Sequence, residues 1–365
     1  MASPIRAETV GSLLRPDRLK ALLVQASGNR DEDQLRRAAD QAVLDAIQLQ
    51  ESVGLDVIND GEQRRRGWIL TQECFSGFRP MPVPEGLPWK GPGGRRAPVT
   101  TSPAIVEPIQ VLHDLHQQEY AFLKEHAHVP TKITVVAPSF HRYYWWEQHS
   151  HSAYDKVEDF LVDVRDKLRA IVEDLVEMGC QYIQLDQPMY SNLGDPECQA
   201  FFKLQGSGFG KDLDFDTELD NSVVAGFQGI TTGIHLCRGN GAGYWVGDTG
   251  YEPMAAELFP KLKFDRFLLE YDSPRAGGFG PLVHIPENST VVLGLITTKS
   301  GDLETSGSIK ERIREAERFV PLERLALSPQ CGFASGAPGN PITHDQQRAK
   351  LQLVAQVANE VWSGK

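Results

Sequence analysis

A (β/α)8 barrel, the TIM-barrel class, is the fold this sequence predicts, on three observations. Eight short apolar runs rich in β-branched residues recur along the chain, amphipathic helical segments separate most of them, and polar and sulfur side chains crowd the places where the runs end. The runs cover 6–12, 55–59, 132–137, 182–186, 230–237, 266–270, 290–296 and 325–331. A doubly wound open sheet is the structural alternative, but no glycine-rich phosphate fingerprint follows the first run.

Taken in order, the first run closes on Ser12. Apolar residues then return every three or four positions over 31–53, which predicts a helix with Asp31 or Asp33 as cap and Gly54 as stop. The second run gives out at Asp60-Gly61-Glu62. The stretch 61–131 that follows is too long for an ordinary connection and is rich in Pro and Gly around 80–98. It reads as a long insertion after the second strand, a lid or interface segment on one catalytic barrel domain spanning 1–365. Beyond the third run lies His141-Arg142-Tyr143-Tyr144-Trp145-Trp146, a cluster suited either to stacking a flat heteroaromatic donor over the mouth or to packing a loop on the barrel rim. His149 and His151 share the spacing of a metal pair but have no cysteine beside them, and are read as surface residues. A second helix is expected over 156–178, stopped by Gly179, and a third over 308–320. The last five runs deliver Asp186, His235 with Cys237, Glu270 with Asp272, Thr297-Thr298-Lys299, and Cys331 to one end. In a barrel of this class that end carries the active site.

Metal chemistry is what those strand ends support. His235 and Cys237 flank Leu236, and side chains two apart on a strand share a face. One short segment therefore offers imidazole nitrogen and thiolate sulfur to a single cation, the mixed set that zinc prefers. Glu270 and Cys331 are the candidates for the remaining ligands. A buried cysteine or a satisfied core histidine is the plainer use of either residue alone. Three separate strand ends supplying compatible ligands at one mouth is what favours Zn2+. Cys74, Cys180, Cys198, Cys237 and Cys331 are odd in number and widely spaced, which argues against a disulfide framework and for reduced thiols.

The composition is that of a soluble globular protein, and a net charge of −12 at pH 7 disfavours nucleic acid or an anionic membrane as partner. No apolar run is long enough to span a bilayer. The opening Met1-Ala2-Ser3-Pro4-Ile5-Arg6 lacks the basic flank and apolar stretch of a secretory signal, so a cytoplasmic location is expected. The insertion offers a contact surface for a homo-oligomer.

Together these residues resemble the cobalamin-independent methionine synthases, specifically their C-terminal catalytic barrel and the stand-alone short members built from it. The matching segments are Val10-Gly11-Ser12, Asp60-Gly61-Glu62, Leu185-Asp186-Gln187-Pro188, His235-Leu236-Cys237, Glu270 and Ser328-Pro329-Gln330-Cys331-Gly332. The opening words from Arg6 through Pro16 look like the short bacterial and fungal members in particular. The resemblance implies that His235, Cys237, Glu270 and Cys331 hold zinc, that Ser12 meets the carboxylate of homocysteine, and that Glu62 with Asp186 holds its ammonium group. It implies transfer of a methyl group to the homocysteine thiolate, giving methionine. Zinc lowers the pKa of a bound thiol, so the attacking sulfur is a thiolate at neutral pH. Glu270, a hard oxygen ligand, is the one expected to yield to substrate.

Departures from the family narrow the reading. Where these enzymes carry an Asp and a His after the seventh strand, the histidine being implicated in protonating the folate leaving group, this chain reads Thr297-Thr298-Lys299. Lys299 and Asp186 are thus the catalytic candidates, although lysine is a poor proton donor near neutrality unless burial lowers its pKa. The usual Asp-Glu-Pro after the fourth strand is Asp186-Gln187-Pro188 here, one carboxylate fewer. With no match to the folate-binding barrel of the longer enzymes, the donor is left open among a folate, a corrinoid protein and a small methylated metabolite. Two other readings stand beside methyl transfer. One is alkyl transfer to another thiol, as in the epoxyalkane:coenzyme M transferases, with Lys299 or Arg15 on a sulfonate; Glu62 and Asp186, which suit an amine, oppose it. The other is a non-catalytic zinc barrel with four protein ligands.

Overall fold

The structure, a computed structural model, describes residues 4–25, 31–69, 71–83, 85–97 and 101–362. Strands Ile133–Val136, Tyr182–Asp186, Thr231–Leu236, Arg266–Glu270, Thr290–Ile296 and Leu325–Pro329 form one parallel sheet, each paired with the next. They are buried on both faces, which is why they read as continuous apolar runs in the sequence. Two further segments join the edges. Ala7 bridges Leu327, Glu8 bridges Val57, and Ile58 bridges Thr131, all in parallel. At these seams Leu327 N–H donates to the Arg6 carbonyl at 2.8 Å and Lys132 N–H to that of Ile58 at 2.9 Å. The eight segments thus follow the order of the eight apolar runs and the sheet closes into a (β/α)8 barrel.

The helix signals hold with small shifts. Asp31 accepts from the Gln34 N–H at 2.9 Å and starts helix Glu32–Val53, which ends at Gly54 with φ 86°. Helix Val157–Glu177 is followed by Gly179 at φ 94°. The third helix runs Ser306–Glu317 and not 308–320, because the Thr305 hydroxyl caps it by accepting from the Ser308 N–H.

The bottom of the barrel is filled by charge. Glu8, fully buried, accepts from Lys132 at 2.6 Å, from Arg266 at 2.6 Å and from the Tyr182 hydroxyl at 3.1 Å. Paired cations hold its carboxyl down at about 2 against the burial that would raise it. Lys132 also donates to Gln184, whose amide donates to Asp186 at 2.8 Å, so the network climbs the barrel axis to its mouth.

The segment 61–131 holds more than turns. Phe78–Pro82 pairs antiparallel with Thr101–Ile105, Lys90–Gly91 pairs with Arg95–Arg96, and Leu115–His126 is a helix that packs beside Val157–Glu177. The helix has no clean apolar stripe because His116 and Glu119 lie on its buried face, served by Asp114 and Arg65. The small hairpin folds over the mouth: Lys90 exchanges two backbone hydrogen bonds with Trp245, at 2.7 and 2.9 Å, and its amine lies 2.8 Å from Asp248 and 3.2 Å from Asp195.

Candidate active site

His235 is the penultimate residue of the fifth barrel strand, in register between Asp186 and Leu268. Its Nδ1–H donates to the Leu268 carbonyl at 3.2 Å, which fixes the tautomer and leaves Nε2 with a free lone pair. That nitrogen is buried and has no hydrogen-bond partner. Cys237, two residues on, and Cys331, past the eighth strand, bring their sulfurs to 3.9 Å of each other. Ligand atoms of all three residues lie within 4.8 Å of one another. Two sulfurs bound tetrahedrally at about 2.3 Å from one zinc stand about 3.8 Å apart. An orphaned imidazole nitrogen facing two thiols at that separation fits the expected metal. The hydrogen bond with Cys237 pushes Cys331 well below the ordinary thiol range, and the same contact pushes Cys237 up.

Glu270 closes its strand as expected, but its carboxylate is outside that trio. One oxygen lies 2.5 Å from Arg275 and 3.4 Å from Lys299, and the other accepts the Arg238 N–H at 2.7 Å. Lys299, Arg275 and Arg238 together outweigh burial and hold this carboxyl down at about 2. Lys299 is therefore committed to Glu270, with Asp272 3.9 Å away.

Two more acids stand at the mouth, Glu62 and Asp186, the latter the register partner of His235 on the neighbouring strand. Asp60 and Asn59 accept from the N–H groups of Glu62 and Gly61 at 2.9 and 2.8 Å, folding a tight turn with left-handed φ of 69° at Gly61 and 54° at Glu62. A non-glycine residue in that region is uncommon and costs about 1 kcal/mol or more. Glu62 Oε1 accepts from the Thr134 hydroxyl at 2.9 Å, while its buried Oε2 has no partner. Asp186 is pushed up to about 7, chiefly by burial and further by the Glu62 charge, with His235 pulling the other way. Ser12 is buried against Gly332, where an added Cβ would collide with its hydroxyl. Arg15, weighed above as an anion binder, donates to the carbonyls of Glu62 and Ala334 and is fully buried.

Ser12, Glu62, Asp186, His235, Cys237 and Cys331 line one cleft that opens to solvent. Sequence reasoning missed its walls. Trp68 and Trp89, to which no role was assigned, face it from the insertion. Of the aromatic cluster at 143–146, only Tyr143 reaches the cleft; Tyr144, Trp145 and Trp146 are buried in the core, because the 3-10 turn Pro138–Tyr144 rotates successive side chains to different sides. His151 is exposed and pairs with Glu147 at 3.0 Å. Among the described residues no helix is long and apolar enough to cross a membrane.

No family model matches the chain. The uncharacterized protein YxjH of Bacillus subtilis is 33% identical over 99% of this chain and 95% of its own length. A solved Listeria monocytogenes protein, provisionally described as a vitamin-B12-independent methionine synthase, superposes with a TM-score of 0.71 at 27% identity, covering 99% of both chains. The chain belongs to the cobalamin-independent methionine synthase family. Methionine synthase of Saccharolobus solfataricus is a more distant relative of this family member, 22% identical over 89% of this chain and 86% of its own.

Proposed function

We propose that this protein transfers a methyl group to the thiolate of homocysteine, giving methionine, at a zinc ion held by His235, Cys237 and Cys331 with Glu270 as an exchangeable fourth ligand. The observation that carries this reading is the meeting of one free imidazole nitrogen and two thiol sulfurs, 3.9 Å apart, in a cleft that Glu62 and Asp186 also line. Zinc bound there would lower the pKa of a substrate thiol and keep its sulfur nucleophilic. Glu62 offers its unpartnered oxygen to the substrate ammonium group, and Asp186 supplies a second carboxylate beside it. Ser12, which lines the same cleft, would meet the carboxylate. Arg275 and Lys299 are placed to receive the Glu270 carboxylate when a thiol takes its place, which gives Lys299 a positioning role.

Coenzyme M as the thiol is disfavoured: its sulfonate needs a cation, and among the described residues no Lys or Arg side chain lines the cleft. X-ray absorption of the zinc-loaded protein tests the reading. Addition of homocysteine is expected to bring one more sulfur into the zinc shell, and an unchanged shell would leave a structural zinc barrel.

A further inference from the structure

We propose that Arg65, Glu119 and Thr134 are positioning residues for Glu62, and that helix Leu115–His126 of the insertion is thereby a working part of the amine subsite. This role rests on the amine-binding reading of Glu62 given above and deepens it. A buried cation beside a substrate-binding carboxylate competes with the substrate for it. Arg65 Nη1 stands 3.6 Å from Glu62 Oε1, close enough to cancel much of the field that would draw an ammonium group in. Glu119 provides Arg65 with another partner. It reaches in from the helix, fully buried, and takes the guanidinium in a fork, Nε–H donating to one oxygen at 2.8 Å and Nη2–H to the other at 2.7 Å. Arg65 is thus matched by Glu119, and the Glu62 carboxylate keeps its charge for a cation from outside.

Thr134, on the third barrel strand, connects the two. Arg65 donates from Nη1 to the Thr134 hydroxyl and from Nη2 to the Thr134 carbonyl, each at 3.0 Å. Arginine has no acceptor, so the hydroxyl oxygen must accept from it. The single hydroxyl proton is then left for Glu62 Oε1, 2.9 Å away. The donors therefore run one way, from Arg65 through Thr134 to Glu62, and they occupy Oε1. Oε2, which has no partner, is the oxygen left for the ligand.

The backbone of Glu62 is held from the same side. Its carbonyl accepts from Arg15 Nη2 at 2.7 Å and from the Arg65 N–H at 3.2 Å. Glu62, Arg65, Glu119 and Thr134 are each no more than 3% exposed, so water does not take the place of a missing member. A carboxylate and a guanidinium withdrawn from water this far contribute little more to stability than an apolar pair of the same volume. What the pair supplies beyond stability is direction, a fixed set of donors at one oxygen of Glu62 and none at the other.

Thr134→Val tests this, because it keeps the side-chain outline and the Arg65–Glu119 fork and removes only the hydroxyl between Arg65 and Glu62. Titration calorimetry of the zinc-loaded full chain is run with homocysteine and with 2-mercaptoethanol, and Glu62→Gln serves as the reference for loss of the amine contact. Thr134→Val is expected to weaken homocysteine about tenfold and 2-mercaptoethanol by less than about twofold, while Thr134→Ser, which keeps the hydroxyl, stays within about threefold of the parent. Glu119→Gln, which frees Arg65 to pair with Glu62, is expected to show the same selective loss; if that variant does not fold, the two Thr134 variants decide alone. Parent-like homocysteine binding in Thr134→Val beside a selective loss in Glu62→Gln overturns the positioning role and leaves Glu62 as the amine contact. Equal losses for the two thiols in Thr134→Val, or no rescue by serine, reduce the four residues to a packing contact and overturn it as well. No selective loss in Glu62→Gln itself removes the amine subsite and the positioning role with it.

Discussion

Glu62→Gln isolates the amine-binding role, because the change is isosteric and the surroundings of each oxygen are known. Oε1 accepts from Thr134 at 2.9 Å and stands 3.6 Å from Arg65, and the amide oxygen of glutamine keeps the first of these contacts. Oε2 is buried without a partner, and there the substitution puts an NH2 group that repels an ammonium ion. What is lost is one charge-assisted hydrogen bond, about 1.5–3 kcal/mol, or about 10- to 150-fold in homocysteine affinity. The fold is expected to persist, since Arg65 stays bidentate to Glu119 and the left-handed turn is as strained for glutamine as for glutamate. Titration calorimetry of the zinc-loaded protein with homocysteine and with 2-mercaptoethanol, which has no ammonium group, separates the two ends of the site. Homocysteine should weaken by the amount above and mercaptoethanol by less than about twofold. Equal losses for the two thiols, or none for homocysteine, would refute the assignment of Glu62.

Three more outcomes are expected. Cys237→Ser and Cys331→Ser should each strip zinc, measured as metal per chain after dialysis; stoichiometric zinc in either variant would contradict the trio. Gly11→Ala should weaken homocysteine without altering the circular dichroism spectrum, because a Cβ there would stand 2.5 Å from Glu62 Oε1 and force that side chain aside; unchanged affinity would show that Glu62 does not face the ligand. Glu8→Gln should destabilise the protein at pH 7 by about 3–5 kcal/mol, since it leaves Lys132 and Arg266 buried without their carboxylate. The sign of its pH dependence follows from a folded pKa lowered to about 2 from 4.5: the stabilisation is complete above 4.5 and is lost as pH falls toward 2. Urea midpoints of the parent should therefore drop through that window more steeply than those of the variant, and parallel curves would rule the linkage out.

The sequence was most legible where burial is uniform. Strands enclosed on both faces must be apolar throughout, so runs such as 266–270 and 290–296 declare themselves, and His235 and Cys237 follow from a two-residue period at a strand end. Direction was not legible. That Glu270 closes a strand is local information, but the aim of its carboxylate depends on Arg238, Arg275 and Lys299, which loops from three strands deliver. Helix Leu115–His126 stayed hidden because its buried face is polar and satisfied only by distant partners such as Arg65. The roles of Trp68 and Trp89 depend on tertiary seams: Trp68 N–H donates to the Ser335 carbonyl at 2.9 Å, and the neighbour of Trp89, Lys90, pairs with Trp245. Neither seam leaves a mark in the local pattern.

Charge accounting in the proposed centre gives the Glu270 contacts a consequence. A zinc ion with two cysteinates and one neutral imidazole carries no net charge, and a glutamate or a substrate thiolate as fourth ligand makes it −1. Exchanging one for the other would keep the centre at −1 and leave the departing carboxylate in need of a counter-charge where it goes. Arg275 at 2.5 Å and Lys299 at 3.4 Å provide for this inside a region shut off from water, since Glu270 is fully buried. An uncompensated carboxylate at such a place costs several kcal/mol, enough to hold the ligand on the metal and slow the entry of thiol. Lys299 in place of the family's histidine thus suits ligand exchange, because its amine stands beside Glu270 and pairs with the carboxylate when that is displaced.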